Sequence, residues 1–260
     1  MKKIIFITGS TDGIGKVTAI ALAKAGHAVY IHGRSAEKVA RVTAETGATG
    51  GFTADLSDLN AVVSLANEIQ EKQLQIDVLI NNAGVYHSAK ATNEAGLDLR
   101  FVVNYLAPVL LTQKLLPQLT AQARILNLSS AAQASVSISA LRGEESIGEQ
   151  KAYAQSKLAL TMWSFELASA QQGHIVIPVN PGSLLNTRMV QEAFGTHWAP
   201  ADKGAKILCD LAVTDRYPGV TGKYFDNDSG AFGRAHADAY DPQQLATLME
   251  ATSELLAPYL

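Results

Sequence analysis

Short apolar runs rich in Val and Ile alternate with longer helical stretches along the whole chain, and no other feature restricts the fold as much. The runs that read as strands are 3–8, 28–32, 51–54, 77–81, 124–128, 174–179 and 222–224. The stretches that read as helices are 13–25, 36–46, 59–72, 97–119, 151–170, 201–211 and 242–257. An uninterrupted apolar strand is buried on both faces, as in a parallel sheet flanked by helices. Seven such units imply a doubly wound α/β sheet of about seven strands. No linker-like shift of composition and no fixed-period repeat divides the chain, so 1–260 reads as one domain. Two segments break the rhythm, 131–150 and 183–200. Each follows the C-terminal end of a strand, the edge where open parallel sheets bind ligands. Each is also readable as a solvated surface loop.

Composition excludes several classes. With 47% apolar and 17% charged residues, the chain can bury a core and is not disordered. The 21 Lys and Arg against 24 Asp and Glu leave no surplus to neutralise a nucleic-acid backbone. The single cysteine, Cys209, forbids an intrachain disulfide and sits among apolar neighbours as a small core residue. Met1-Lys2-Lys3 resembles the start of a signal peptide, but the apolar run after it is too short and ends in a glycine turn. No stretch approaches the apolar length that spans a bilayer. A soluble, cytoplasmic setting is expected.

Three motifs carry chemistry. Thr8-Gly9-Ser10-Thr11-Asp12-Gly13-Ile14-Gly15 lies between a strand and a helix. Glycines there permit a tight turn and let backbone N–H groups approach a pyrophosphate at the helix N-terminus. The spacing is neither GxGxxG nor a Walker A loop. Arg34 follows the second strand, 19 residues after Gly15. Dinucleotide-binding sheets place there an acid for the NAD ribose or an Arg for the NADP 2′-phosphate, so Arg34 points to NADP, with NAD the alternative. Tyr153 and Lys157 stand four apart on a helix, and a nearby cation would lower the phenol pKa into a useful range. A chain with 8 Tyr and 13 Lys supplies such a pair by chance too often for it to mean anything alone.

The combination is more specific. Thr8-Gly9…Gly13-Ile14-Gly15, Asp55-Leu56, Asn81-Asn82-Ala83-Gly84, Asn104, Asn127-Leu128-Ser129-Ser130, Tyr153…Lys157 and Asn180-Pro181-Gly182 occur in this order. The pattern resembles the short-chain dehydrogenase/reductase family over nearly the whole chain, and most of all its retinol-dehydrogenase-like, NADP-using branch. The resemblance implies a Rossmann-type fold and an oxidoreductase that interconverts a carbonyl and an alcohol by hydride transfer. It implies that Tyr153 moves the proton, Ser130 holds the substrate oxygen, Lys157 binds the nicotinamide ribose and depresses the Tyr153 pKa, and Asn104 holds a relay water. Residues Gly9, Ser10, Thr11, Asp12, Gly13, Ile14 and Gly15 would form the phosphate loop. Asp55 and Leu56 would lie at the adenine, Asn82, Ala83 and Gly84 would support the cofactor, and Pro181 and Gly182 would line the nicotinamide side. A homodimer or homotetramer is implied as well.

Three departures from the family pattern stand out. Ser130 precedes Tyr153 by 23 residues, so 131–150 holds an insertion. Ser129 competes with Ser130 for the catalytic position. The Thr expected just after Pro181-Gly182 is displaced, leaving Thr187 or Ser183 to contact the nicotinamide amide. The six His are scattered without metal-ligand spacing, so no metal site is expected. Trp163 reads as packing. Val190, Phe194 and Trp198 form one apolar helical face, a core or interface face in one reading and a substrate lid in the other. Asp226-Asn227-Asp228-Ser229-Gly230 reads as a turn rather than a calcium loop. Glu144, Glu145 and Glu149 read as a solvated charge run. Two other functions compete: a sugar-nucleotide epimerase or dehydratase, against which the glycine spacing and length count, and a non-catalytic dinucleotide sensor.

Overall fold

Strand β1, Ile4–Ile7, is apolar throughout and almost wholly buried, and it pairs in parallel with a strand on each side. Its partners are β2 (Ala28–Gly33) and β4 (Ile76–Asn81). Beyond β2 lies β3 (Gly50–Thr53), and beyond β4 lie β5 (Leu119–Leu128), β6 (Ile175–Asn180) and β7 (Tyr224–Asp226). The order is β3-β2-β1-β4-β5-β6-β7, with one further short strand beyond β7. The chain therefore winds outward in both directions from β1, and the loops after β1 and β4 part to leave a crevice. The computed structural model describes residues 1–171, 173–183, 185–186 and 200–260.

The expected seventh strand lies two residues later than its apolar run suggested. An eighth, β8 (Ala231–Gly233), returns antiparallel to it. The Asp226–Gly230 stretch supplies the reversal, with Gly230 at φ +71°. Three residues of strand, only one of them a large apolar side chain, were too little for periodicity to detect.

Helices cover both faces. On one face α1 (Gly13–Lys24), α2 (Ala36–Thr46) and α8 (Ala201–Val213) enclose a cluster that includes Ile5, Ile7, Val29, Ile31, Ile207 and Leu208. On the other face lie α3 (Leu59–Glu71), α4 (Leu99–Phe101), α5 (Ala107–Leu115), α6 (Ile138–Leu141), α7 (Glu149–Ala170) and α9 (Pro242–Leu256). Caps set several starts: Asp12, Ser35, Asp58 and Asp241 each accept a backbone N–H at the head of their helix. Trp163 is buried in this second core, and Cys209 is partly buried with its thiol pushed up to about 11 by desolvation.

The expected helix 97–119 is broken. Between α4 and α5 the backbone makes a wide turn over Val102–Leu106, in which the Ala107 N–H bonds the Val102 carbonyl five residues back. Pro108 explains it, because proline has no N–H to give to the Asn104 carbonyl four residues earlier. From Leu119 the chain is already strand, so β5 begins five residues before its expected start. Among the described residues no helix is long and apolar enough to cross a membrane.

Candidate active site

The loops at the C-terminal ends of β1, β2, β4, β5 and β6 bring the sequence-predicted residues to one edge of the sheet. After β1, Gly9 and Gly13 take φ +62° and +52°, a region that L side chains rarely adopt. A Cβ at Gly9 would lie 2.7 Å from the Ala83 Cα, and one at Gly15 would lie 2.4 Å from the Asn82 Nδ2 and 2.7 Å from the Gly9 carbonyl. Glycine is therefore required for close approach of this loop to the loop after β4. The start of α1 faces the crevice, which suits an anionic phosphate.

Asn82 fastens the two loops. Its Nδ2 donates to the Thr8 and Gly9 carbonyls at 2.8 and 2.9 Å, while the N–H groups of Asn82 and Ala83 donate to the Thr8 hydroxyl at 3.0 Å. Deeper in, Asn81 donates to Asn127 at 2.8 Å and Asn127 donates to Ser164 at 2.8 Å, a buried polar line tying β4 and β5 to α7. Arg34 is exposed at the end of β2, beside the Ser35 cap of α2. Asp55 is exposed and accepts from Ser57, whereas the Leu56 side chain turns into the core and leaves only its backbone at the crevice.

Helix α7 carries Tyr153 and Lys157. The Lys157 Nζ is buried and donates to the Leu128 carbonyl at 2.7 Å, lying 5.6 Å from the Tyr153 ring centre. Burial pushes its pKa down to about 8. Tyr153 is held above the ordinary phenol value by burial, with a Ser130 hydrogen bond pulling the other way and the Tyr86 phenol adding to the rise. The expected lowering of the phenol by Lys157 is thus not what this geometry produces: burial decides the direction. Ser129 bonds Thr161 at 2.6 Å and the Lys157 carbonyl at 3.2 Å, so its hydroxyl faces into the fold, away from Tyr153. The Ser130 hydroxyl accepts the Ala132 N–H at 3.1 Å and reaches Tyr153.

The Asn104 side chain is fully engaged. Its Oδ1 accepts the Val85 N–H at 2.7 Å, and its Nδ2 donates to the Val85 carbonyl at 2.9 Å and to Ser156 at 3.0 Å. The group left to hold a water is its backbone carbonyl, which Pro108 cannot serve. After β6, Asn227 donates to the Pro181 carbonyl at 2.8 Å. Ser183 donates to Asp228 through its N–H at 2.9 Å and its hydroxyl at 2.5 Å, so Ser183 ties its loop to the turn between β7 and β8. Thr187, Val190, Phe194 and Trp198 lie outside the described residues.

Several residues at this edge were not singled out by sequence. The Tyr86 ring sits 5.0 Å from the Tyr153 ring and forms one wall beside the phenol. The Ser130 carbonyl accepts from the Tyr224 hydroxyl at 3.0 Å and from Gln133 at 2.9 Å. Buried Arg100 donates twice to Asp98 at 2.7 Å and once to Glu149 at 3.1 Å, anchoring the first turn of α7. Glu144 and Glu145 are exposed, Glu145 accepting from Ser137 and Ser139 at the surface, whereas Glu149 also contacts His87 at 2.9 Å and so is more than a solvated charge. The contacts Tyr86–Tyr153, Tyr224–Ser130, Arg100–Glu149 and His87–Glu149 join residues distant in sequence; of these, only the position of Tyr86 two residues after Asn82-Ala83-Gly84 offered any signal.

A family model described as short chain dehydrogenase matches residues 3–198. The chain is 31% identical to human retinol dehydrogenase 13 over 281 residues, which covers 98% of this chain and 84% of that protein. It is 30% identical to human polyprenol dehydrogenase over 257 residues, covering 87% of this chain and 77% of that protein. A short chain dehydrogenase of Escherichia coli CFT073, solved in complex with NADPH, superposes with a TM-score of 0.70 at 28% identity, covering 86% of this chain and 96% of that one.

Proposed function

The chain belongs to the short-chain dehydrogenase/reductase family, and from that premise we propose that it interconverts a carbonyl and an alcohol with NADP as the hydride carrier. The observation that carries this reading is one cluster: Tyr153, hydrogen-bonded by Ser130, over buried Lys157, at the mouth of the glycine crevice. The crevice suits a dinucleotide. Gly9 and Gly15 let the phosphate loop pack against Ala83 and Asn82 where a Cβ would clash, which sets the shape of the crevice, and the start of α1 would supply N–H groups to a pyrophosphate. Gly13, Ile14 and the backbone of Ser10, Thr11 and Asp12 complete that loop. Arg34 would take the 2′-phosphate through its guanidinium. Asp55 and the Leu56 backbone would border the adenine, and Ala83, Gly84, Pro181 and Gly182 the nicotinamide half. When bound, the cofactor supplies or accepts the hydride, and the protein supplies orientation and the proton.

The proton belongs to Tyr153. Burial keeps its phenol protonated at neutral pH, ready to donate to a carbonyl oxygen as that oxygen gains charge. Ser130 offers a second donor to the same oxygen. Lys157, its Nζ held by the Leu128 carbonyl and 5.6 Å from the Tyr153 ring centre, would hold the cofactor ribose with its ammonium. The proton lost by Tyr153 is replaced by way of Lys157 and a water on the Asn104 carbonyl. The substrate we propose is a lipophilic alcohol or aldehyde, supported by the names of the retinol and polyprenol relatives and by the Tyr86 wall. We also propose a homodimer or homotetramer, supported by the family resemblance, and a cytoplasmic location, supported by a single cysteine that cannot form an intrachain disulfide.

Two measurements test the reading. A panel of aldehydes, ketones and alcohols, followed through nicotinamide absorbance, should show turnover by wild type and a loss of about 10²–10⁴-fold in Tyr153→Phe, with NADPH binding retained. Full activity in that variant would assign the proton to another group. Fluorescence titration should show tighter binding of NADPH than NADH, reversed or levelled in Arg34→Ala; tighter NADH binding by wild type would refute the Arg34 assignment.

A further inference from the structure

We propose that His32 is a positioning residue of the cofactor crevice, its imidazole acting as the strut that fixes the Gly9 amide. The inference rests on the dinucleotide reading above. His32 is the last residue but one of β2, on the sheet face of Tyr30 and opposite that of Val29 and Ile31, and it is 1% exposed. An imidazole so deeply placed loses hydration, and an apolar side chain would fill the space without that penalty. What the ring adds is two opposed polar edges, and both are used. Its Nδ1 lies 3.1 Å from the Gly9 N, and its Nε2 lies 3.1 Å from the Ala54 carbonyl.

These partners dictate the tautomer. The Gly9 N–H is a donor, so Nδ1 must accept, and the Ala54 carbonyl is an acceptor, so Nε2 must carry the proton. Only the neutral ring satisfies both. Burial keeps it neutral by pushing its pKa down to about 4, with Asp55 on the loop after β3 as the charged neighbour that opposes the shift. On β1 the ring meets the edge of Phe6. Asparagine and glutamine carry their acceptor and donor on one terminal group, so neither spans the two loops.

The strut has consequences for the crevice. Gly9 is pressed on its other side by Ala83, 2.7 Å from where a Cβ would stand. Ser10 completes the clamp: its hydroxyl accepts the His32 N–H at 3.0 Å, and its own N–H donates to the His32 carbonyl at 2.9 Å. One residue thereby sets the distance between the phosphate loop after β1 and the loop holding Ala54 and Asp55, which border opposite parts of a dinucleotide. Its contribution falls on binding, because none of its contacts reaches Tyr153, Ser130 or Lys157.

The test uses His32→Leu, His32→Asn and His32→Gln in the full chain, with NADPH and NADH as probes. His32→Leu should raise the Kd of both by about tenfold, a change equivalent to ~1.4 kcal/mol. With saturating NADPH and the best substrate of the panel, kcat should stay within about twofold of wild type. Asparagine can place an oxygen near the Nδ1 position but cannot also reach the Ala54 carbonyl, so it should recover only part of the affinity; glutamine should recover less. The equal effect on both dinucleotides separates this role from that of Arg34. Unchanged Kd in His32→Leu, a loss confined to kcat, or glutamine rescuing as well as asparagine would each overturn the proposal. If His32→Leu fails to fold, the asparagine–glutamine ranking decides. Wild type that binds neither dinucleotide would remove the cofactor reading and the strut together, whereas wild-type binding with an unaffected leucine variant removes the strut alone.

Discussion

Replacing Gly15 by alanine places one methyl group where the crevice is most tightly closed. The new Cβ would stand 2.4 Å from the Asn82 Nδ2, 2.7 Å from the Gly9 carbonyl oxygen and 2.9 Å from the Ser10 Cα. Two of these atoms are backbone, and the third belongs to an amide that already donates to the Thr8 and Gly9 carbonyls. Overpacking of this kind costs about 1–3 kcal/mol. Displacing the Asn82 amide weakens two hydrogen bonds of about 1 kcal/mol each. Alanine returns roughly 1 kcal/mol through helix propensity. The balance is a loss of about 3 kcal/mol. For a domain of this size that lowers Tm by roughly 6–12 °C. Because the atoms that must move form the phosphate loop, the Kd for NADPH should rise at least about tenfold, equivalent to ~1.4 kcal/mol. Thermal melts by circular dichroism and NADPH fluorescence titration measure the two effects. Gly233→Ala is the control, since no atom lies within 4 Å of its Cβ position. A Gly15→Ala protein that melts within about 2 °C of wild type and binds NADPH equally well would refute the close approach of the two loops.

Pro108→Ala gives the Asn104 carbonyl an N–H partner and lets the helix close regularly; kcat should fall several-fold with NADPH affinity unchanged, and an unchanged kcat would remove that carbonyl from the proton path. Tyr224→Phe removes one of two donors to the Ser130 carbonyl; kcat should drop while the Kd for NADPH holds, and steady-state kinetics beside titration separates the two. Lys157 titrates near 8 when folded and near 10.5 when unfolded. The unfolded chain therefore binds more protons between those values, and this residue makes stability rise with pH across that window, by up to about 3 kcal/mol. Urea unfolding at a series of pH values should show that rise in wild type relative to Lys157→Met; a flat difference would mean the ammonium is not desolvated.

Much of the site was legible because its signals are local. The turn Thr8 to Gly15 sits at an element boundary and the Tyr153–Lys157 pair at a helical spacing, whereas Asn104, and the weight given to the pair, came from the family resemblance. Helix 97–119 misled because its apolar periodicity persists across the break, and only the missing N–H of Pro108 reveals it. Strand β8 escaped because three residues cannot establish a period. The pKa direction of Tyr153 was misread for a different reason: spacing gives the neighbourhood of a cation, but not how far both groups are removed from water.

By itself, the sequence determined the order and kind of the main elements, the parallel sheet and the residues at its C-terminal edge, since periodicity and turn chemistry act over a few residues. Only the tertiary structure decided which hydroxyl of Ser129 and Ser130 faces Tyr153, that Leu56 turns into the core, and that His32 spans two loops 22 or more residues away. Such contacts depend on the register of neighbouring strands and on where each ring meets a distant backbone group. Those are properties of packing, and no local pattern encodes them.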